Sequence, residues 1–204
     1  MIERAFRADA REAKGLHDGT VGCLVRVVDP QALEADGYQY GHGKAELSDF
    51  WYPYSYPNGD GLAAQCDAAV RSPFGVVGDR LWVQETATPY PLASGQRYIY
   101  RADYTPGEPR HELKSWYKVC SMPRKACRTL LDVTDVRVVR AKDVTRADAA
   151  AIGVCGASFL GYQKTNWPEE NFRVLWDLLH GDRDGEAWFQ NPWLWLATVA
   201  KVEA

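Results

Sequence analysis

The chain has 204 residues, a formal net charge of -3 and 46% hydrophobic residues. This apolar content is enough for a folded core, so a disordered chain is excluded, and the acidic balance excludes a general nucleic-acid coat protein. No stretch approaches the roughly 20 apolar residues of a membrane span, and no signal segment follows the first methionine, so we expect a soluble cytoplasmic protein with no membrane partner.

Cysteine and histidine usage indicates neither a metal nor a redox centre. The five cysteines are widely spaced and form no CxxC pair, and the four histidines show no metal-ligand spacing. No combination of Ser, His and Asp indicates a catalytic triad. We therefore expect reduced thiols, no metal and no other cofactor.

The first third of the chain predicts a helix, a strand and a long insertion. Residues 8–16 can form a short helix, and a strand is predicted for VGCLVRVV, which ends at Asp29 and Pro30. Residues 37–75 are rich in Tyr, Trp, Gly and Pro, which favours an ordered insertion without regular elements inside a single domain over 1–204. Its aromatic side chains either cover a cleft or hold the loop on the core.

The middle of the chain predicts short strands and one long strand. Residues 81–84 alternate so that Trp82 and Val83 lie on opposite faces, and residues 97–102 alternate in the same way. Residues 129–140 form the longest run, and their apolar positions change face near Thr134. A bend or β-bulge near Thr134 reconciles the two halves.

Two helices and a buried strand are predicted for the last third. Thr145 and Asp148 resemble a capping box, with Gly153 placed to end that helix. Pro168 suits the first turn of a second helix. Its predicted core stripe recurs at helical spacing: Phe172, Leu175, Trp176 and Leu179. The run WLWLATVAKV is apolar on both faces, which predicts a central buried strand.

These elements predict an α+β fold. Five to six strands with two to three helices inserted late favour a small mixed barrel or curled sheet over repeated βαβ units. Neither GxGxxG nor GxxxxGK occurs, so no Gly-rich phosphate loop of a known kind is expected.

Positive charge is concentrated in the stretch that joins a turn to the long strand. Ten Lys or Arg against four Asp or Glu lie between Arg110 and Arg146. Such a strand either borders an anion-binding cleft or is a solvated sheet edge. The turn after Met122 and Pro123 contributes Arg124 and Lys125 to this charge.

Three stretches carry a resemblance to a known family. They are SPFGVVGDRLWVQETA, MPRKACRTLLDVTDVRVVRAKDVTRADAAAIGV and FRVLWDLLHGDRDGEAWFQNPWLWLATV. In order and spacing the chain resembles the phage and prophage branch of the ASCH domain family. The resemblance implies a PUA-like curled β-barrel, an RNA- or nucleotide-binding cleft between barrel and helix, and a place in the cytoplasm of a bacterial host cell.

Some small ASCH members hydrolyse the amide of N4-acetylcytidine with a GxKxxTxR motif and a Glu on a later strand. The corresponding run here keeps Gly19 and Arg26, but Val21 stands at the Lys position and Leu24 at the Thr position. The Glu position holds Asp132. Because Val and Leu supply neither a nucleophile nor a proton donor, the resemblance that implies the fold argues against the enzyme.

Several candidate site residues remain, and each has a structural alternative. Arg26 contacts a ligand or forms a salt bridge, Asp132 is a base or an ion-pair partner, and Glu85 is an acid or a backbone acceptor. The turn cations are phosphate ligands or ordinary solvated charges.

The first hypothesis is a non-catalytic module that binds RNA, a nucleotide or a modified nucleoside. Phosphate contacts would come from Arg124, Lys125 and Arg128. An aromatic residue, Trp116 or Tyr117, would stack on a base.

Two alternatives stay open. One is a hydrolase, either an amidohydrolase of N4-acylated cytidine or a ribonuclease, with Asp132 as base and an unrecognised Lys or Cys in place of the motif Lys. The other is a phage-encoded protein-interaction factor that binds a host protein through the long aromatic segment. A Lys ammonium within hydrogen-bond reach of Asp132 would favour the hydrolase.

Overall fold

The fold is known from a computed structural model. It describes residues 1–29, 38–42, 50–55, 64–65, 70–92, 95–104, 116–154 and 166–202. Three α-helices lie in these ranges: α1 (Ala10–Asp18), α2 (Arg146–Ala151) and α3 (Pro168–His180). None of the described helices combines the length and apolar composition that a membrane span requires.

Eleven strands lie in the same ranges. They are β1 (Glu3–Arg7), β2 (Cys23–Val27), β3 (Tyr38–His42), β4 (Phe50–Ser55), β5 (Ala64–Gln65), β6 (Val70–Arg71), β7 (Arg80–Gln84), β8 (Ala87–Leu92), β9 (Gly95–Tyr100), β10 (Leu130–Arg140) and β11 (Trp193–Lys201). The main sheet is mixed and has five strands in the order β1-β7-β10-β11-β2, with only β1 and β7 parallel. β1 and β2 are the two edge strands and do not pair with each other, so the described sheet is open rather than a closed barrel. The α+β class is therefore confirmed.

The strand β11 is the centre of the fold, as predicted from its apolar sequence. It lies between β10 and β2, and its side chains alternate between two cores. Trp193 and Trp195 join the core that contains α1, whereas Leu194 and Leu196 join the core under α2 and α3. Because both faces are covered, a continuous apolar run replaces the alternation of a half-exposed strand.

The predicted bulge in the long strand is confirmed. The register between β10 and β11 shifts between Val133 and Asp135, and the Thr134 hydroxyl donates to the Thr198 carbonyl at 3.0 Å. Leu131 before the bulge and Val136 after it belong to the same core. One extra residue thus keeps the apolar positions on one face.

The helix ends follow the capping residues. The Asp9 carboxylate accepts the Glu12 N-H at 2.7 Å, so α1 begins two residues later than predicted. The capping box of Thr145 and Asp148 is confirmed at the start of α2. Pro168 occupies the first turn of α3, as predicted.

The predicted core stripe of α3 is right at three positions and wrong at one. Phe172, Leu175 and Trp176 are buried, but Leu179 is 48% exposed. Leu179 lies in the last turn of the helix, next to Leu178, which is 43% exposed.

The expectation of no regular elements over 37–75 was wrong, because β3 to β6 lie there. Proline inside β4 and frequent glycines hid the strand pattern. Trp51 is buried, and its ring stands edge-on to Trp195 at a centroid distance of 5.5 Å, so this part of the segment is held on the core. Residues 30–37, 43–49, 56–63 and 66–69 lie outside the described ranges.

Candidate functional site

An open groove of about 410 Å³ lies beside α1. Its walls come from α1, from the 3-10 turn Arg101–Asp103 (the 101–103 turn) and from Gly153, two residues after the end of α2. It is lined by Ala10, Arg11, Lys14, Gly15, Thr20, Val21, Arg101, Ala102 and Gly153. The groove therefore joins three elements that are far apart in the sequence.

The floor of the groove is made of small residues around Val21. Val21 is 8% exposed, and a Cβ atom added to Gly153 would lie 2.6 Å from its Cγ2 atom. Gly153 also has φ +82°, a conformation that favours glycine. An added Cβ at Gly15 would collide with the same methyl group. These two glycines allow α1 and α2 to approach Val21 closely.

Part of the run that resembles the ASCH motif borders the groove, through Thr20 and Val21. Val21, at the motif Lys position, lines the floor, whereas Leu24, at the motif Thr position, is fully buried in the core. Neither Val nor Leu can transfer a proton, and the buried Leu24 side chain cannot be reached from the groove. These two positions therefore cannot support a reaction there.

Three cations stand on the groove walls. Arg11 donates to the Ile152 carbonyl at 3.4 Å, and Lys14 is bound to Asp18 at 2.8 Å. The hydrogen bond to Asp18 raises the pKa of Lys14, which keeps its charge at neutral pH. Arg101 is exposed and makes no ion pair within the described residues. None of the described lining residues is a carboxylate, an imidazole or a thiol.

Arg128 lies behind the 101–103 turn and is held from three sides. Its guanidinium donates twice to the buried Glu85 carboxylate, at 2.8 and 2.9 Å, and also binds Asp103. It stacks over the Tyr100 ring at 4.0 Å from the centroid. Only 14% of the Arg128 side chain is exposed, so its donors are engaged by protein rather than by solvent. Arg128 thus fixes the turn that forms one wall.

Arg124 and Lys125 do not converge with Arg128. Arg124 is bound to Glu3 on β1 and lies 5.8 Å from the centroid of Trp82. Lys125 is exposed and has no ion-pair partner in the described part of the chain. The three cations proposed for phosphate are therefore separated, and two of them are neutralised by carboxylates.

Asp132 faces away from the groove. Its carboxylate accepts from the Arg80 guanidinium on the neighbouring strand at 2.7 and 3.2 Å. It alternates with Leu131 and Val133, which pack in the core with α1, so it occupies the opposite face of the sheet. The ion-pair partner of Asp132 is thus an arginine. Among the described residues, no lysine donates a hydrogen bond to Asp132.

Arg26 forms the salt bridge that was its structural alternative. It donates to both Glu12 oxygens, at 2.9 and 2.8 Å, and to the Arg7 carbonyl at 2.8 Å. Its guanidinium lies 4.5 Å from the Phe6 ring centroid. Arg26, on the edge strand β2, thus attaches α1 to β2 and to the end of the other edge strand, β1.

An aromatic pair follows the 101–103 turn. Tyr104 comes directly after the turn, is 37% exposed and meets the half-buried Trp116 edge to face at 6.2 Å between centroids. Tyr117 is 36% exposed, and its backbone N-H donates to the Ala87 carbonyl at 2.8 Å. Of the two predicted stacking residues, Trp116 therefore contacts the residue that follows the groove wall, whereas Tyr117 is hydrogen-bonded to β8.

Sequence reasoning missed the groove cations. Arg11 and Lys14 are three residues apart on an amphipathic helix, which was a signal for a shared polar face. Arg101 carried no such signal, because only the tertiary fold brings it opposite α1. No group of three or more metal-ligating side chains occurs among the described residues.

The sequence matches no protein-family model. No curated protein and no solved structure matches it either. The ASCH resemblance therefore stays a prediction, and the function has to be argued from the groove.

Proposed function

We propose that the chain is a non-catalytic module that binds RNA or a nucleotide in the α1 groove, within an ASCH-type, PUA-like fold. One observation carries the proposal: Arg11, Lys14 and Arg101 surround a floor of small, uncharged side chains. The phosphate sites move from the predicted turn to this groove, because Arg124, Lys125 and Arg128 do not converge, whereas Arg11, Lys14 and Arg101 line one groove.

The groove has the features of an anion site. Arginine and lysine are the side chains that contact phosphate oxygens most often, and two arginines allow bidentate contacts. The small floor residues let a sugar-phosphate chain come close to the backbone of α1. Local binding of this kind is compatible with a net charge of -3 for the chain.

The aromatic pair supports a nucleic-acid ligand over a simple anion. Tyr104 and Trp116 adjoin the turn that carries Arg101, so a base could stack there while its phosphate lies in the groove. Stacking on an aromatic side chain contributes about 1 to 3 kcal/mol per base and tolerates any sequence.

The two motif positions support a module without catalysis. Val21 cannot act as an acid, base or nucleophile, and Leu24 is buried. The Asp132 carboxylate is on the other face of the sheet, bound to Arg80. We therefore expect no release of acetate from N4-acetylcytidine by the purified protein.

The finer fold assignment is also a proposal. Its support is the arrangement of α1 directly before β2, with the run that resembles the motif entering the sheet beside the α1 groove. The five-stranded sheet is open in the described residues, so closure into a PUA-like barrel is the part to be tested by an experimental structure.

The test is a salt titration of RNA binding, followed by the fluorescence anisotropy of a labelled short single strand. Replacing Arg11, Lys14 or Arg101 by Ala should weaken binding of all sequences alike. Each replacement should flatten the slope of log affinity against log salt by roughly 0.7, because each lost phosphate contact releases fewer counterions. Lys125→Ala is the matched control, since it removes an exposed cation outside the groove.

Two outcomes would contradict the proposal. If Lys125→Ala and Arg124→Ala flatten the slope while the groove variants do not, the cationic turn is the site. If the parent protein binds neither RNA nor nucleotides at low salt, the binding function is wrong.

A further inference from the structure

Arg101 and Ala102, which line one wall of the groove, are held by a residue behind that wall. Arg128 is not among the described lining residues, but it contacts the residue on either side of this pair. Its guanidinium lies 4.0 Å from the centroid of the Tyr100 ring, and it donates to the Asp103 carboxylate with two nitrogens. Arg128 therefore fixes the wall segment at both ends.

The backbone alone gives the turn limited support. The Arg101 N-H donates to the Thr86 carbonyl at 2.8 Å, and the Tyr104 N-H donates to the Arg101 carbonyl at 3.1 Å. A 3-10 turn of three residues has poor hydrogen-bond geometry and little stability of its own. Its position therefore depends on the side chains that contact it.

Arg128 can anchor the turn because its own position is fixed. Only 14% of its side chain is exposed, and the buried Glu85 carboxylate accepts two of its hydrogen bonds, at 2.8 and 2.9 Å. A guanidinium holds its donors in one rigid plane, so the same side chain can bind Glu85 and Asp103 together. A lysine at this position has the same charge but lacks that planar fork.

The same anchor reaches the opposite wall. An Asp103 carboxylate oxygen lies 3.8 Å from the Lys14 ammonium on α1. Through this carboxylate, Arg128 is connected to the turn that carries Arg101 and to Lys14, which are two of the three lining cations. Contact of both cations with one strand depends on their separation, because phosphate contacts fix the register of a bound strand.

We propose that Arg128 is a positioning residue for the groove, which sets the affinity for the ligand through Arg101 without touching the ligand itself. The inference rests on the proposed function, in which Arg101 contacts a phosphate. Arg128 then contributes to binding indirectly, rather than through the direct phosphate contact predicted from the sequence.

The first test needs no ligand. Arg128→Lys keeps the positive charge but removes the planar fork, so hydrogen exchange at the Arg101 and Tyr104 amides should become faster, on the order of ten-fold, because the turn opens more easily. The Val199 amide in β11 should exchange as in the parent. Glu85→Gln keeps Arg128 but loosens it, and it should have the same effect by a smaller factor, so it replaces the lysine variant if that variant does not fold.

The second test is a double-mutant cycle of RNA binding, measured by the anisotropy of the labelled single strand. Arg128→Lys and Arg101→Ala should each weaken binding about ten-fold and flatten the salt slope by roughly 0.7, as expected for one lost phosphate contact. The double variant should bind no more weakly than Arg101→Ala alone, because no Arg101 side chain is left to be misplaced. A residue that contacted phosphate itself would add its own loss of affinity and its own change in slope.

Arg124→Lys is the matched control for both tests. Arg124 is also an ion-paired arginine beside an aromatic ring, but its partners are Glu3 and Trp82, outside the groove. This substitution should change neither the affinity for RNA nor the hydrogen exchange of the turn.

Unchanged exchange of the turn amides in Arg128→Lys and in Glu85→Gln overturns the inference, whatever the affinities. A further loss of affinity when Arg128→Lys is added to Arg101→Ala also overturns it, and both results leave the proposed function intact. If Arg101→Ala binds like the parent, the inference fails, while the variants of Arg11 and Lys14 still decide the proposed function. If the parent binds neither RNA nor nucleotides at low salt, both proposals fail.

Discussion

The ion pair of Arg128 and Glu85 predicts an unequal response to removal of each partner. Glu85 is 1% exposed, and within the described residues Arg128 is its only cation. Arg128 is 14% exposed and keeps a second partner, Asp103, when Glu85 is lost. Arg128→Met should therefore destabilise more than Glu85→Gln, since it leaves a buried carboxylate with no counter-charge.

The magnitudes follow from this difference. An uncompensated buried charge costs about 3 to 5 kcal/mol, which we expect for Arg128→Met. Glu85→Gln leaves a neutral amide that still accepts from Arg128, so the expected cost is about 1 to 2 kcal/mol. The double variant Glu85→Leu with Arg128→Met should cost less than Arg128→Met alone, because no charge is then stranded.

The assay is the free energy of unfolding from urea denaturation, with equal m-values as the condition for comparing variants. Lys125→Met is the matched control, since it removes an exposed cation from the same turn and should change stability by less than about 0.5 kcal/mol. An equal or larger cost for Glu85→Gln than for Arg128→Met would refute the argument.

Two further predictions concern the core and the response to acid. Trp195 is 1% exposed in the core that contains α1, so Trp195→Ala should lower the free energy of unfolding by about 3 to 5 kcal/mol in urea denaturation, and an unchanged midpoint would show that β11 is not buried. Burial acts to raise the pKa of Asp79, but hydrogen bonds from the Ile2 and Val76 N-H groups and from Arg4 outweigh it and lower that pKa below its ordinary 3.8. Its stabilising effect should be complete above the unfolded-state pKa and lost as pH falls through the lower folded-state pKa, and melting curves of Asp79→Asn should lack this part of the acid sensitivity.

Elements with a local signal were predictable from the sequence. Apolar runs, a capping box and a proline in the first turn located β11, α2 and α3, and the change of face at Thr134 located the bulge. The parallel pairing of β1 with β7 was not predictable, since its register joins Glu3 to Arg80 and depends on contacts between distant segments.

The functional site was less predictable because ion pairing is a tertiary property. The sequence does concentrate positive charge around the turn. However, Arg124 and Arg128 are neutralised by carboxylates from other elements, namely Glu3, Glu85 and Asp103. A local excess of Lys and Arg therefore indicates positions where carboxylates of other elements can form ion pairs, as well as positions where phosphates can bind.

The floor of the groove consists of uncharged side chains, whereas its walls carry charged ones. Val21 fills the space that Gly15 and Gly153 leave beside it, so the floor contributes shape and close approach rather than a reactive group. Charge comes instead from α1 and from the 101–103 turn, and Arg128 and Glu85 hold that turn in place. Because the Lys14 ammonium lies 3.8 Å from an Asp103 carboxylate oxygen, a substitution at Asp103 would alter the charge beside the groove without altering its floor. Substitution of a single residue beside the groove can therefore change the affinity of the proposed site while the fold around β11 stays the same.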